Sequence, residues 1–167
     1  MLYWVIILKQ RGLPEAWSGS VYTMLILSMT LGGMISRRLS RTADFRKVAT
    51  LSTLAWAGLF FAISSSRGLA VPTVLFVGVE VLYAIRSAAI ATFENDIVSQ
   101  RNRAVVFSFM GTVTSIFGIA SNVLIGRVAD AWGVEPLYQF SGFLGLCAAL
   151  CVFAAGKVRA RVNDKYI

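Results

Sequence analysis

Residues 71–93 read "VPTVLFVGVEVLYAIRSAAIATF", an apolar run of 23 residues with only two charged side chains, Glu80 and Arg86. An α-helix rises 1.5 Å per residue, so about 20 apolar residues cross the ~30 Å hydrocarbon core of a bilayer. The run is therefore long enough to span a membrane. It predicts a transmembrane helix that carries an acid and a base inside the apolar layer.

The rest of the chain has the same character. Of its 167 residues, 57% are hydrophobic and 14% are charged, with a mean hydropathy of +0.71. Soluble domains are about 25% charged, and here the charges gather in short gaps between apolar runs. We therefore expect an all-α integral membrane protein. Its five predicted spans, which form one transmembrane domain over 17–156, are 17–36, 48–65, 71–93, 104–125 and 137–155.

Residues 1–16 and 157–167 lie outside the predicted transmembrane domain, at the two ends of the chain. "MLYWVIIL" (1–8) is apolar but too short to span, and it lacks the basic start and cleavage site of a signal peptide. We expect residues 1–16 to be the tail of a truncated helix and an outer loop, broken at Gly12-Leu13-Pro14. Residues 157–167 are expected to form a basic cytoplasmic tail.

Basic residues are distributed unequally between the two sides of these spans. Eleven lie on one side: Arg37, Arg38, Arg41, Arg46, Lys47, Arg101, Arg103, Lys157, Arg159, Arg161 and Lys165. Four lie on the other: Lys9, Arg11, Arg67 and Arg127. Because positive charge is retained in the cytoplasm, the first group is predicted to be cytoplasmic, together with the C-terminus. The expected location is the plasma (inner) membrane.

Other functional classes find little support in the sequence. The net charge of +8 flanks apolar spans rather than a soluble face, which argues against nucleic-acid binding. There is no histidine, and Cys147 and Cys151 on one helix cannot build a structural zinc site alone. Gly32-Gly33 lacks the lysine-serine pair of a phosphate-binding loop. We expect neither an enzyme nor a bound metal or cofactor.

Several short patterns together resemble one known family. Arg86, Asn95, Arg103-Ala104 and Ser108 are similar to the junction of the tenth and eleventh helices of major facilitator superfamily (MFS) transporters. "GMISRRLSR" (33–41) resembles a cytoplasmic loop of that family through Gly33, Arg37 and Arg41, although the loop's acidic residue is absent. "GRVADAWG" (126–133) resembles the end of the eleventh helix.

The resemblance implies a place for the chain within a twelve-helix transporter. Its spans would be helices eight to twelve, preceded by the end of helix seven. They would then form the second six-helix bundle, with its first helix truncated.

Glu80 is the leading candidate for function. A charge at its depth costs at least about 2.5–3.5 kcal/mol, so it normally faces a bundle interior or water. Glu80, Ser87 and Glu94 follow a seven-residue repeat and share a helix face, with Tyr83 beside them. Arg86 lies about 120° away around the helix, so a bridge to Glu80 within the helix is not expected. These five residues are a candidate substrate or proton pathway; the alternatives are interhelical hydrogen bonds and, for Arg86, snorkelling.

The fourth and fifth spans carry stripes of small residues. One stripe contains Ser108, Gly111, Ser115, Gly118 and Asn122. Such stripes usually let helices approach closely. The family resemblance adds the alternative that this stripe lines a cavity, which makes Ser115 and Asn122 further pathway candidates. A second ridge of this kind, for which we predict packing, consists of Ser141, Gly145 and Ala149.

The charged gaps on the basic side are candidate gating loops by the same resemblance. The residues in question are Gly33, Arg37, Arg41, Asn95, Asp96 and Arg103. The alternative is a solvated loop whose bases only set orientation.

The expected function is secondary active transport of a small molecule, with proton coupling through Glu80 and Glu94 as an option. A single half offers one wall of a transport site, so an N-terminal half or a second copy is expected as a partner within the lipid bilayer. The alternative is a non-transporting membrane interaction or assembly protein, or an inactive truncated relict.

The count of basic residues predicts a topology that reporter fusions can test. A reporter active only in the cytoplasm should give signal when fused after Arg41, Gln100 or Lys165, because these positions follow the basic gaps. Fusions after Gly68 or Gly133 should give none. The reverse pattern would overturn the orientation and the family alignment with it.

Overall fold

The computed structural model describes residues 3–42 and 44–163, which form an all-helical chain. Within these ranges some side chains, among them those of Arg41, Asp96 and every residue beyond 154, are not described. The backbone of residues 157–163, the first part of the predicted basic tail, is helical, and residues 164–167 lie outside the described part. The helices are α1 (Tyr3–Gln10), α2 (Ser18–Thr42), α3 (Phe45–Ser65), α4 (Ala70–Ile97), α5 (Arg103–Trp132) and α6 (Val134–Asn163). Short 3-10 turns, Glu15–Trp17 and Gln100–Asn102, precede α2 and α5.

Five stretches of the described chain are long and apolar enough to cross a membrane. They are Glu15–Leu39, Arg46–Ser65, Ala70–Thr92, Gln100–Trp132 and Val134–Ala154. Each overlaps one predicted span, and no strand occurs in residues 3–42 or 44–163. The prediction of an all-α membrane fold with five spans is confirmed.

Each of the five long helices extends beyond its predicted span at one end or both, and α2 and α5 illustrate this. Helix α2 runs to Thr42, and α5 continues to Trp132 through the segment that was expected to begin a loop after residue 125. Residues 126–132 contain no proline, so nothing in them stops a helix that has already formed. Gly133 ends α5 with a positive φ of 87°.

The break after α1 follows directly from its sequence. Gly12 adopts a φ of 95°, a conformation that glycine reaches without strain. Its N–H donates to the carbonyl of Lys9 at 3.0 Å, and the N–H of Leu13 donates to that of Leu8 at 2.9 Å. Leu8 and Leu13 are both buried. These bonds form a Schellman motif, which satisfies the last carbonyls of α1 and turns the chain toward α2.

Helix α4 lies at the centre of the bundle. It packs against α2 on one side and α3 on another, while α6 packs against α3 and α5 against α6. The short helix α1 contacts α4 and α6. The core draws on five of the six helices; its members include Trp4, Ile7, Leu8, Val21, Leu25, Phe60, Ile63, Phe76, Val79 and Tyr138.

Close helix contacts occur where one helix offers a glycine. A Cβ added at Gly32 of α2 would lie 2.5 Å from the carbonyl oxygen of Val81 on α4. On α6, a Cβ at Gly145 would lie 2.8 Å from the Cβ of Ala57 on α3. The predicted packing of the Ser141–Gly145–Ala149 ridge is thus confirmed at Gly145, and Ala149 is 1% exposed.

Helix α5 differs from the others because none of its residues is buried. The small residues Ser108, Gly111, Ser115, Gly118 and Asn122 are all exposed. A Cβ added at Gly111 or Gly118 would meet no atom within 4 Å. This stripe therefore does not pack against another helix in the described part of the chain.

Two adjacent glycines of α2 provide a test of the helix contact. Gly32→Ala should lower the free energy of unfolding by about 1–3 kcal/mol, because the added methyl group meets the backbone of α4. Gly33→Ala should be neutral or stabilising by about 0.5–1 kcal/mol, since its Cβ would meet nothing within 4 Å and alanine favours the helix. Denaturant unfolding in detergent compares them; equal effects would contradict the contact.

Candidate functional site

Glu80 lies in the interior of the bundle. Its side chain projects from the middle of α4 and is 6% exposed. The carboxylate oxygen Oε2 is buried without a hydrogen-bond partner among the described residues. Buried polar atoms normally have a hydrogen-bond partner. A buried polar atom without one costs about 1–3 kcal/mol of stability, and a charged group costs more. The expectation that Glu80 faces the bundle interior agrees with this position.

Two cavities meet at Glu80. The larger, of about 230 Å³, is lined by Trp4, Trp56, Phe60, Phe76, Val79, Glu80, Ile125, Leu137, Tyr138 and Ser141. The smaller, of about 140 Å³, lies toward α2 and is lined by Trp4, Tyr22, Leu25, Ile26, Met29 and Glu80. Glu80 and Trp4 are common to both, so α4 and α1 together contribute the wall between them.

Aromatic rings pack against one another around the larger cavity. The rings of Trp56 and Phe60 meet edge to face at a centroid distance of 4.4 Å. Tyr138 contacts Phe76 at 5.6 Å and Phe60 at 5.9 Å. These contacts join α3, α4 and α6, and they hold large side chains in fixed positions around the carboxylate of Glu80.

Arg86 is positioned by aromatic rings rather than by Glu80. Its guanidinium carbon lies 4.8 Å from the ring centroid of Trp56 and 5.6 Å from that of Tyr83. Its Nε is buried without a hydrogen-bond partner. No ion pair joins Arg86 to Glu80 in the described chain. Arg86 therefore packs on Trp56 of α3, which also lines the larger cavity.

The remaining pathway candidates do not reach the cavities. Tyr83, Ser87 and Glu94 share the α4 face as predicted and are half-buried, but none lines either cavity. Ser115 and Asn122 on α5 are exposed, and the hydroxyl of Ser115 donates to the carbonyl of Gly111 at 2.9 Å. The structure thus brings Glu80 together with aromatic residues of α1, α3 and α6 that the sequence did not indicate.

The turn between α4 and α5 is closed by hydrogen bonds from side chains to backbone carbonyls. Arg103 donates through Nη2 to the carbonyl of Asn95 at 3.1 Å. The side chain of Asn95 donates back to the carbonyl of Ala91 at 2.9 Å. Two of the candidate gating residues, Asn95 and Arg103, are therefore in contact. The six candidate gating residues lie within helices rather than in loops: Gly33, Arg37 and Arg41 in α2, Asn95 and Asp96 in the last turn of α4, and Arg103 at the start of α5.

Arg11 was counted in the sequence only as a base, yet it joins three segments at the opposite end of the bundle. It donates to the hydroxyl of Ser66 at 2.7 Å and to the carbonyl of Ile63 at 3.2 Å, both at the end of α3. It also lies 3.5 Å from the carboxylate of Glu135 on α6. The Arg11 side chain is 10% exposed. Because Arg11 follows α1 directly, these bonds hold α1 and its Trp4 against the cavity.

Comparison with known proteins gives one relative. The chain is 26% identical over 154 residues to YfmI of Bacillus subtilis (strain 168), which is described as an uncharacterized MFS-type transporter. The alignment covers 89% of the present chain and 37% of YfmI, so the chain spans little more than a third of this relative's length. No protein-family profile matches the sequence, and no solved structure matches it.

The bonds of Arg11 predict a difference between two neighbouring cations. Arg11→Gln should lower the free energy of unfolding in detergent by about 1–3 kcal/mol, because it removes the bonds to Ser66 and Ile63 from a nearly buried site. Lys9→Gln should cause no measurable change, since the Lys9–Glu15 pair is exposed. If both variants unfold like the wild type, Arg11 does not join these helices.

Proposed function

We propose that the chain is the second half of a secondary active transporter of the MFS type, and that its small-molecule cargo occupies the cavities beside Glu80. The observation that carries this proposal is the burial of Glu80, whose carboxylate has an unpartnered oxygen and lines two cavities inside a membrane-spanning bundle. The similarity to an MFS-type transporter supports transport at the level of the superfamily.

Glu80 favours transport over a purely structural role. An acid within a transmembrane helix is costly, and such residues usually mark substrate or ion pathways. An interhelical hydrogen bond would offset the cost, but Oε2 forms none with the described residues. A non-transporting assembly protein would gain nothing from this arrangement. In our proposal the chain is part of a transporter and is not an enzyme.

The exposed surface of α5 supports an incomplete bundle. Secondary transporters bind their cargo near the bilayer midplane between two repeats that rock against each other. In our proposal the exposed small-residue stripe that contains Ser115 and Asn122 faces the missing part of the transporter, either an N-terminal half or a second copy. The limited coverage of the longer relative is consistent with a missing N-terminal half.

We assign different tasks to the two charges of α4. Glu80 would take up and release a proton or contact the cargo directly, because it borders both cavities. Arg86 would keep its charge and stay on the rings of Trp56 and Tyr83. At the basic side, the Arg103–Asn95 contact would open or close as α4 and α5 move, together with the candidate gating residues Gly33, Arg37, Arg41 and Asp96. This side would be cytoplasmic in the plasma membrane.

Replacement of Glu80 tests the proposal in cells that produce the chain together with the N-terminal half it requires. That half can be sought in the DNA upstream of the codon for Met1. If transport is coupled to the movement of one charge across a membrane potential of about 100 mV, it gains about 2.3 kcal/mol. This free energy supports a ratio of about 50-fold between the cargo concentrations on the two sides of the membrane. We expect the Glu80→Gln variant to reach the membrane at wild-type level but to maintain no difference in cargo concentration between the two sides of the membrane. Untargeted mass spectrometry of the cell contents measures it.

The matched control is Asp130→Asn, which makes the same chemical change at an exposed acid of α5. It should preserve the concentration ratio. If Glu80→Gln supports the same ratio as the wild type, Glu80 is structural and the proposed pathway is wrong. If wild-type cells show no compound whose level depends on the chain, the transport proposal itself fails.

A further inference from the structure

We infer that the cavity around Glu80 binds a small organic cation, an amine whose ammonium group pairs with the Glu80 carboxylate while its apolar body lies among the aromatic rings. As a statement about cargo, this rests on the proposed transport function. As a statement about binding, it is argued from the side chains of this chain that line the two cavities.

The charge of the cavity wall selects the class of ligand. Among the ten residues that line the larger cavity, Glu80 carries the only charge, and the same holds for the six that line the smaller one. Its Oε2 is a buried acceptor without a partner. An ammonium group supplies both the opposite charge and a donor, and such charge-assisted bonds are about twice as strong as neutral ones. An anionic ligand would be repelled by the same carboxylate.

The aromatic residues favour an amine over a polar neutral ligand. Five of the ten lining residues of the larger cavity are aromatic: Trp4, Trp56, Phe60, Phe76 and Tyr138. Aromatic faces attract cations as well as apolar groups, and aromatic cages are a known means of binding ammonium groups. A sugar needs many hydrogen-bond partners, but apart from Glu80 and aromatic side chains only Ser141 offers a polar group.

Arg86 does not cancel this preference. It lines neither cavity, and its guanidinium lies over Trp56. Six residues separate Arg86 from Glu80 along α4, which places their Cα atoms about 9 Å apart along the helix axis. No ion pair joins Arg86 to Glu80 in the described part of the chain, so Arg86 does not occupy the carboxylate that would bind the ammonium group.

Cavity size limits the ligand to a small one. A volume of about 230 Å³ equals that of about eight water molecules at about 30 Å³ each. An amine with one ring or a short alkyl body fits this space. The smaller cavity of about 140 Å³ lies on the other side of Trp4 and Glu80, so a longer substituent could extend toward α2 only past these two side chains.

Three probes with the same ring and different charge test the inference on the purified full chain in detergent micelles at pH 7. They are 2-phenylethylammonium, 2-phenylethanol and 3-phenylpropionate, and empty micelles give the background partitioning. Tryptophan fluorescence reports binding, since Trp4 and Trp56 line the cavity. For a probe of this size we expect saturation by the cation with a Kd on the order of 1 mM, and at least about tenfold weaker binding of the alcohol and the carboxylate.

Variants then locate the binding site. Glu80→Gln should weaken binding of 2-phenylethylammonium at least about tenfold, because it removes the charge and keeps the shape, whereas Asp130→Asn should bind like the wild type. Trp56→Phe should lose part of the fluorescence response. Trp132→Phe should retain it, because Trp132 is 74% exposed and lines neither cavity. The comparison of the three probes uses only the wild-type chain and does not depend on the folding of any variant.

Two results would overturn the inference. Equal or tighter binding of the alcohol or the carboxylate would show that the carboxylate does not select for positive charge. Saturable binding of none of the three probes by the folded chain would show that the cavity is not a site for small amines. Neither result decides the transport proposal, which depends on the concentration ratio in cells. Conversely, amine binding without any such ratio would leave a binding site in a chain that does not transport.

Discussion

The hydrocarbon core of a bilayer offers no hydrogen-bond partners, and this constraint governs every level of the structure. Backbone groups must be satisfied within each segment, so the apolar runs form helices. Charged side chains must leave the lipid surface, so the two charges of α4 lie inside the bundle or against aromatic rings. The central position of α4 provides that shelter, with α2 and α3 on its flanks and α1 across its face.

Side-chain size then decides where the helices touch and where they stay apart. Gly32 brings α2 against α4, and Gly145 brings α6 against α3. Between these contacts, Trp4, Trp56, Phe60, Phe76 and Tyr138 are too large for the helices to close, and the two cavities open beside Glu80. The same bundle is therefore tight at Gly32 and Gly145 and open beside Glu80.

Helices α1 and α5 pack less extensively against the other helices than α2, α3, α4 and α6 do. Helix α1 is only eight residues long, and Arg11 ties the segment after it to the ends of α3 and α6. Helix α5 is long but has no buried residue. Its small-residue stripe has the composition of a packing surface, which fits our proposal that further helices of the same transporter cover it.

The sequence alone determined the helical class and the five spans and indicated that Glu80 lies inside the bundle, because the length of an apolar run and an acid within it are local properties. It also indicated the packing role of Gly145. It did not indicate Trp4, Trp56 or Tyr138 as neighbours of Glu80, since residues from different helices meet only through packing that no local pattern encodes. Ser115 and Asn122 look equivalent to other small polar residues in the sequence. Only the tertiary structure places them away from the cavities and gives Arg11 its partners on α3 and α6.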